Sequence, residues 1–107
     1  MHFKVIIGEQ VYAIELPGEL LREAFEFHAK LDRDMDRGWQ MSRQFVAQPD
    51  RMQRCQIVAD KLLTSIANGN EATAMLMAGY IAARVPGAIG VDIDDSGEMQ
   101  HTELLYT

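Results

Sequence analysis

The chain has 107 residues, 48% hydrophobic and 24% charged, with a formal net charge of −6. That length suits one domain with one core, and the composition excludes general disorder. An acidic surface repels a phosphate backbone, which disfavours nucleic acid as a partner, and a single cysteine, Cys55, excludes an internal disulfide or a cysteine-based zinc site.

Phe3 to Ile7 and Val11 to Leu16 are rich in β-branched and aromatic residues. The three residues between them, Gly8-Glu9-Gln10, make the pair a β-hairpin. Pro17-Gly18 ends the second strand, and a helical pattern begins at Glu19. Leu21, Ala24, His28, Leu31 and Met35 form one apolar stripe at alternating spacings of three and four, which predicts a helix reaching Gly38. Trp39 to Val46 has the spacing of a short helix but no strong cap.

Pro49 and Asp50 open the next helix, in which Met52, Cys55, Ala59, Leu62 and Ile66 repeat the stripe. Asn68-Gly69-Asn70 closes that helix and caps another, so the two form an antiparallel helical hairpin. The second member, Glu71 to about Arg84, is apolar nearly all round. Pro86-Gly87 stops it. Ile89, Val91 and Ile93 then alternate with polar or small residues, and Asp95-Ser96-Gly97 turns the chain into a last strand from Met99 to Tyr106. The expected fold is therefore α+β: an N-terminal β-hairpin, three or four helices and a C-terminal β-hairpin. The two hairpins are expected to join in one antiparallel sheet with the helices on one face, all in a single domain spanning 1–107.

The N-terminus lacks the layout of a secretion signal, and the longest apolar stretch, Ala74 to Ala83, is about half a membrane span, so a cytoplasmic protein with no membrane partner is expected. No Gly-rich phosphate loop follows a strand and no serine sits in a nucleophile elbow. No catalytic residue and no cofactor is therefore expected.

Asp92-Ile93-Asp94-Asp95-Ser96-Gly97, with Glu103 at the twelfth position, fits the spacing of a calcium loop and in that respect resembles an EF-hand loop. The flanks read as strand rather than helix, so an acidic β-turn is expected, and a metal at Asp92, Asp94, Ser96 and Glu103 is the least supported of the candidate sites. His28 lies on an apolar stripe one turn from Asp32, and with Tyr80 these residues would line a pocket if the protein were a small enzyme or ligand-binding protein. Cys55 falls on a core stripe and reads as inert.

Two features point to protein contact. Arg33 to Arg54 carries five arginines against three acids, within an otherwise acidic chain, and includes Trp39. Arg37, Trp39 and Arg43 are accordingly the expected partner-binding residues, Trp and Arg being the types enriched in binding hot spots. The apolar helix, through Met75, Ala78, Gly79 and Ala82, is the expected interface of a homodimer. The sequence thus reads as a small binding or accessory module whose protein partner it does not name.

Overall fold

The computed structural model describes residues 1–107. Strands β1 (His2–Ile7) and β2 (Gln10–Glu15) pair antiparallel, with Phe3 opposite Ile14 and Val5 opposite Tyr12. The expected first helix is split at Ala24 into α1 (Gly18–Glu23) and α2 (Phe25–Met35). No glycine or proline lies at the break. It follows from packing: Ala24 is buried, and Leu21 of α1 reaches the later helix α4 (Glu71–Arg84) beside Gly79.

Trp39 to Val46, ambiguous from its spacing, is resolved by the structure. It is a two-stranded hairpin of β3 (Trp39–Met41) and β4 (Gln44–Val46). Trp39 stands opposite Val46, and both pack on the core. Ser42 makes the turn with φ 57, a left-handed conformation uncommon for a non-glycine residue. Its hydroxyl offsets that strain by donating to the Gly97 carbonyl at 2.7 Å and accepting from the Met99 amide at 3.2 Å. Helical spacing misleads here because a run this short has too few apolar residues to tell the two periods apart.

Helix α3 (Arg51–Ala67) begins with a reciprocal cap: the Asp50 carboxylate accepts from the Gln53 amide, and the Gln53 side chain accepts from the Asp50 amide. The Asn70 side chain caps α4 by accepting from the Thr73 amide at 3.1 Å. α3 and α4 form the most extensive contact between any two elements.

Strands β5 (Ala88–Ile93) and β6 (Glu103–Tyr106) pair antiparallel, joined by a loop that contains one 3₁₀ turn at Met99–His101. The Gln56 amide on α3 holds this loop by donating to the Gln100 and Thr102 carbonyls. The two terminal hairpins do share one sheet, in the order β2-β1-β5-β6, but β1 and β5 run parallel. The sheet is therefore mixed, which corrects the expectation of an antiparallel one. A parallel pair needs a long crossover, and the helices between β2 and β5 supply it. Gly90 is required at this seam, because a Cβ there would fall onto the carbonyl oxygen of Lys4, its register partner.

Phe3, Val5, Val91 and Ile93 of the two central strands are buried, whereas Lys4 and Asp92 are exposed, the alternation of a half-buried sheet. The buried strand residues join Cys55, Val58 and Leu62 of α3 and Met77, Tyr80 and Ile81 of α4 in one cluster of 20 core residues. No helix is long and apolar enough to cross a membrane.

Candidate functional site

The residues expected to line a pocket do meet. Asp32 on α2 faces Tyr80 and Arg84, which lie one turn apart on α4, and Arg54 near the start of α3. The Tyr80 hydroxyl donates to Asp32 Oδ1 at 2.5 Å. The Arg84 guanidinium donates twice to Oδ2, at 2.7 and 3.3 Å. Arg54 donates to Oδ1 at 3.2 Å and reaches Asp36 at 2.7 Å. One carboxylate thereby ties three helices together.

Burial opposes ionisation of Asp32, but the hydrogen bonds from Tyr80, Arg84 and Arg54 outweigh it and hold the carboxyl below its usual range. Burial, and then the bond to Asp32, push the Tyr80 phenol well above its usual value. His28 is 1% exposed and stacks edge-on against Tyr80. Its Nε2 lies 3.0 Å from the Leu76 carbonyl, and since a carbonyl only accepts, that nitrogen carries the proton. Burial lowers the pKa of His28 and favours the neutral ring.

Both oxygens of Asp32 and the bonded nitrogen of His28 are thus occupied within the chain. Cys55 is also buried, and burial pushes its thiol up to about 11, so it holds little thiolate near neutral pH. The sequence reading missed Arg54 and Arg84. The spacing of Tyr80 and Arg84 by one turn was its available signal; the meeting of three helices was not.

The acidic loop is built as a turn. Asp94 Oδ2 accepts from the Ser96 hydroxyl at 2.7 Å, the Ser96 amide at 3.1 Å and the Glu98 amide at 3.0 Å. The Ser96 hydroxyl is the main cause holding the Asp94 carboxyl below its usual range. Asp92 and Glu103 stand opposite each other on β5 and β6. A shallow, largely polar depression of about 360 Å³ lies here, but no group of three His, Cys, Asp or Glu side chains is placed to hold a metal ion.

Of the residues expected to bind a partner, Trp39 is half-buried with the Lys61 ammonium 4.7 Å from its ring centre. Arg37 and Arg43 are exposed and make no ion pair. Of the expected dimer residues, Ala78 and Gly79 are buried within the chain, and Gly79 lies against Leu21 and His28. Met75 and Ala82 remain half-buried.

Met75 also lines the larger surface groove, of about 640 Å³, between β2 and the α3–α4 turn. Val11, Tyr12 and Ile14 of β2 form one wall, and Ile66, Ala74 and Met75 the other. Val11 is 60% exposed and Tyr12 38%. β2 is an end strand of the sheet, so its outer row of backbone groups has no strand partner. The sequence reading placed β2 correctly and passed over it as a site, because alternation reveals a strand without revealing which strands end the sheet.

Protein-family models, curated proteins and solved structures provide no match to this chain.

Proposed function

We propose that this chain is a cytoplasmic binding module that works by protein–protein contact and forms a homodimer, and that the contact is made at β2 and the groove beside it. The observation that carries the reading is the coincidence of an unpaired strand edge with exposed apolar side chains and an apolar groove. Backbone hydrogen bonding along such an edge supplies affinity, and the adjoining groove supplies side-chain selectivity. The half-buried Met75 adds a flexible side chain that adapts to a partner surface.

The competing reading, a small enzyme or ligand-binding protein acting at His28, Asp32 and Tyr80, has less support. A catalytic acid or base needs a free valence for its substrate, and the Asp32 carboxylate, the Tyr80 hydroxyl and His28 Nε2 are each hydrogen-bonded within the chain, which leaves His28 Nδ1 as the one ring nitrogen without such a bond.

A photo-crosslinking amino acid in place of Tyr12, in protein expressed in its native cell, tests the proposal. A protein adduct is expected, either a second copy or another chain. Absence of any adduct, from a variant that folds normally, overturns the reading.

A further inference from the structure

The reading above gives a homodimer and a protein contact at β2 without saying how the strand edge itself is paired, and the following rests on it. We infer that the occupant is a second copy of the same strand, paired antiparallel across a two-fold axis at Ala13, so that two four-stranded sheets become one continuous sheet.

The free backbone groups can be assigned. Leu16 donates to the Met1 carbonyl at 2.7 Å, and the Met1 nitrogen donates back to the Leu16 carbonyl at 2.8 Å. That pair is hydrogen-bonded, and in an antiparallel ladder such pairs alternate with unbonded ones. Ile14, Tyr12 and Gln10 therefore bond to β1, while Val11, Ala13 and Glu15 present their N–H and C=O groups to the open edge.

The two ends of the sheet are protected differently. β6 has four residues, and its pairing with β5 is broken by a register shift between Ala88 and Gly90. Short length and irregular pairing discourage edge-to-edge association. β2 has six residues in unbroken register, with no lysine, no proline and no bulge. Its one charged residue is Glu15, at its end.

Symmetry then limits the register. Residues opposite each other in an antiparallel pair lie on the same face, so the axis passes through a residue position of β2. An axis at Tyr12 sets Glu9 opposite the partner's Glu15, a like-charge apposition that destabilises a sheet. An axis at Ala13 avoids this. It sets Ala13 opposite Ala13 and Val11 opposite Glu15, using the outward backbone groups of all three residues in about six hydrogen bonds. It also sets Tyr12 opposite the partner's Ile14, an aromatic–aliphatic pair on the groove side, where Ile66 and Met75 lie. Glu15 already has His2 Nδ1 at 2.8 Å.

Light scattering across a concentration series, with secondary structure followed by circular dichroism, tests the inference. The wild-type protein is expected to have the mass of two chains. Ala13→Pro removes an outward N–H that β1 does not use, and edge strands tolerate proline. It is expected to weaken the dimer at least about tenfold with the fold retained. Ala13→Lys is the second variant, with the same expectation and without the proline constraint. Ala13→Cys is expected to oxidise to a covalent dimer, because Cα atoms of a bonded antiparallel pair lie about 5.5 Å apart, within disulfide reach. Val11→Cys, whose partner position is Glu15, is not. Folded Ala13→Pro and Ala13→Lys proteins that keep the two-chain mass overturn this pairing while leaving a protein-contact module in place. A wild-type mass of one chain at all concentrations overturns both the pairing and the homodimer, and the Tyr12 crosslink then decides separately whether the edge binds another protein.

Discussion

The Asp32 cluster and the β2 edge are the two distinctive regions of this molecule, and they use polar groups in opposite ways. Around Asp32, side chains from α2, α3 and α4 satisfy one another, and the chemistry is directed inward. Along β2, outward backbone groups have no strand partner and the neighbouring side chains are apolar and exposed. The residue types that most resemble an active site are therefore largely bonded to one another, whereas β2 carries a row of backbone groups with no strand partner. A group's availability, and not its chemical type alone, decides whether it is a site.

The contrast is open to four direct tests. The largest effect is expected from Asp32→Ala, which leaves Tyr80 and two guanidinium groups short of their shared acceptor. Breaking a buried pair costs about 3–5 kcal/mol, and partial exposure of Asp32 brings the expectation to roughly 3 kcal/mol in urea unfolding. The mass by light scattering should not change, since β2 is untouched. A folded variant whose mass falls below that of the wild type would break the separation of the two regions.

Acid should act on the inward region next. Burial keeps His28 neutral when folded, so its folded pKa lies below its ordinary value of 6.5. The unfolded chain then binds a proton first as pH falls, and stability declines from about pH 6.5 downward until the folded pKa is reached. Asp32 has its folded pKa depressed below 3.8, so its contribution is complete above that value and is lost as pH falls further, through the folded pKa. Urea midpoints should therefore fall in two stages on acidification. In His28→Gln the first stage should be absent; its persistence would assign the acid sensitivity elsewhere.

Gly79→Ala gives a smaller change of opposite sign. An added Cβ would meet Leu21 at 3.5 Å and His28 at 3.6 Å, ordinary contact distances. Alanine favours a helix interior over glycine by about 0.8–1.0 kcal/mol, so a gain of up to about 1 kcal/mol in urea unfolding is expected. The proposed dimer should be unaffected, because Gly79 is enclosed by its own chain. A weakened dimer would return the interface to α4.

Arg37→Ala and Arg43→Ala should have the smallest effect on stability, within about 0.5 kcal/mol, because both side chains are exposed and form no ion pair. If they reduce crosslinking from position 12, the basic segment belongs to the partner surface together with β2.

The sequence by itself determined the local elements. The apolar stripes, the start at Pro49-Asp50, the Asn70 cap and the glycine after α3 located the helical hairpin to within a few residues, because caps and 3.6-residue periodicity act over neighbouring positions. It also located both terminal hairpins, since adjacent strands with a turn between them pair locally. The tertiary structure decided what depends on distant residues. Pairing β1 parallel to β5 joins positions that local patterning does not relate. The break at Ala24 arises where α1 packs on α4, and the occupation of Asp32 by Tyr80, Arg54 and Arg84 requires three helices to meet. The open edge of β2 is likewise a property of strand order: periodicity states which residues form a strand, and only the assembled sheet states which strand has no neighbour.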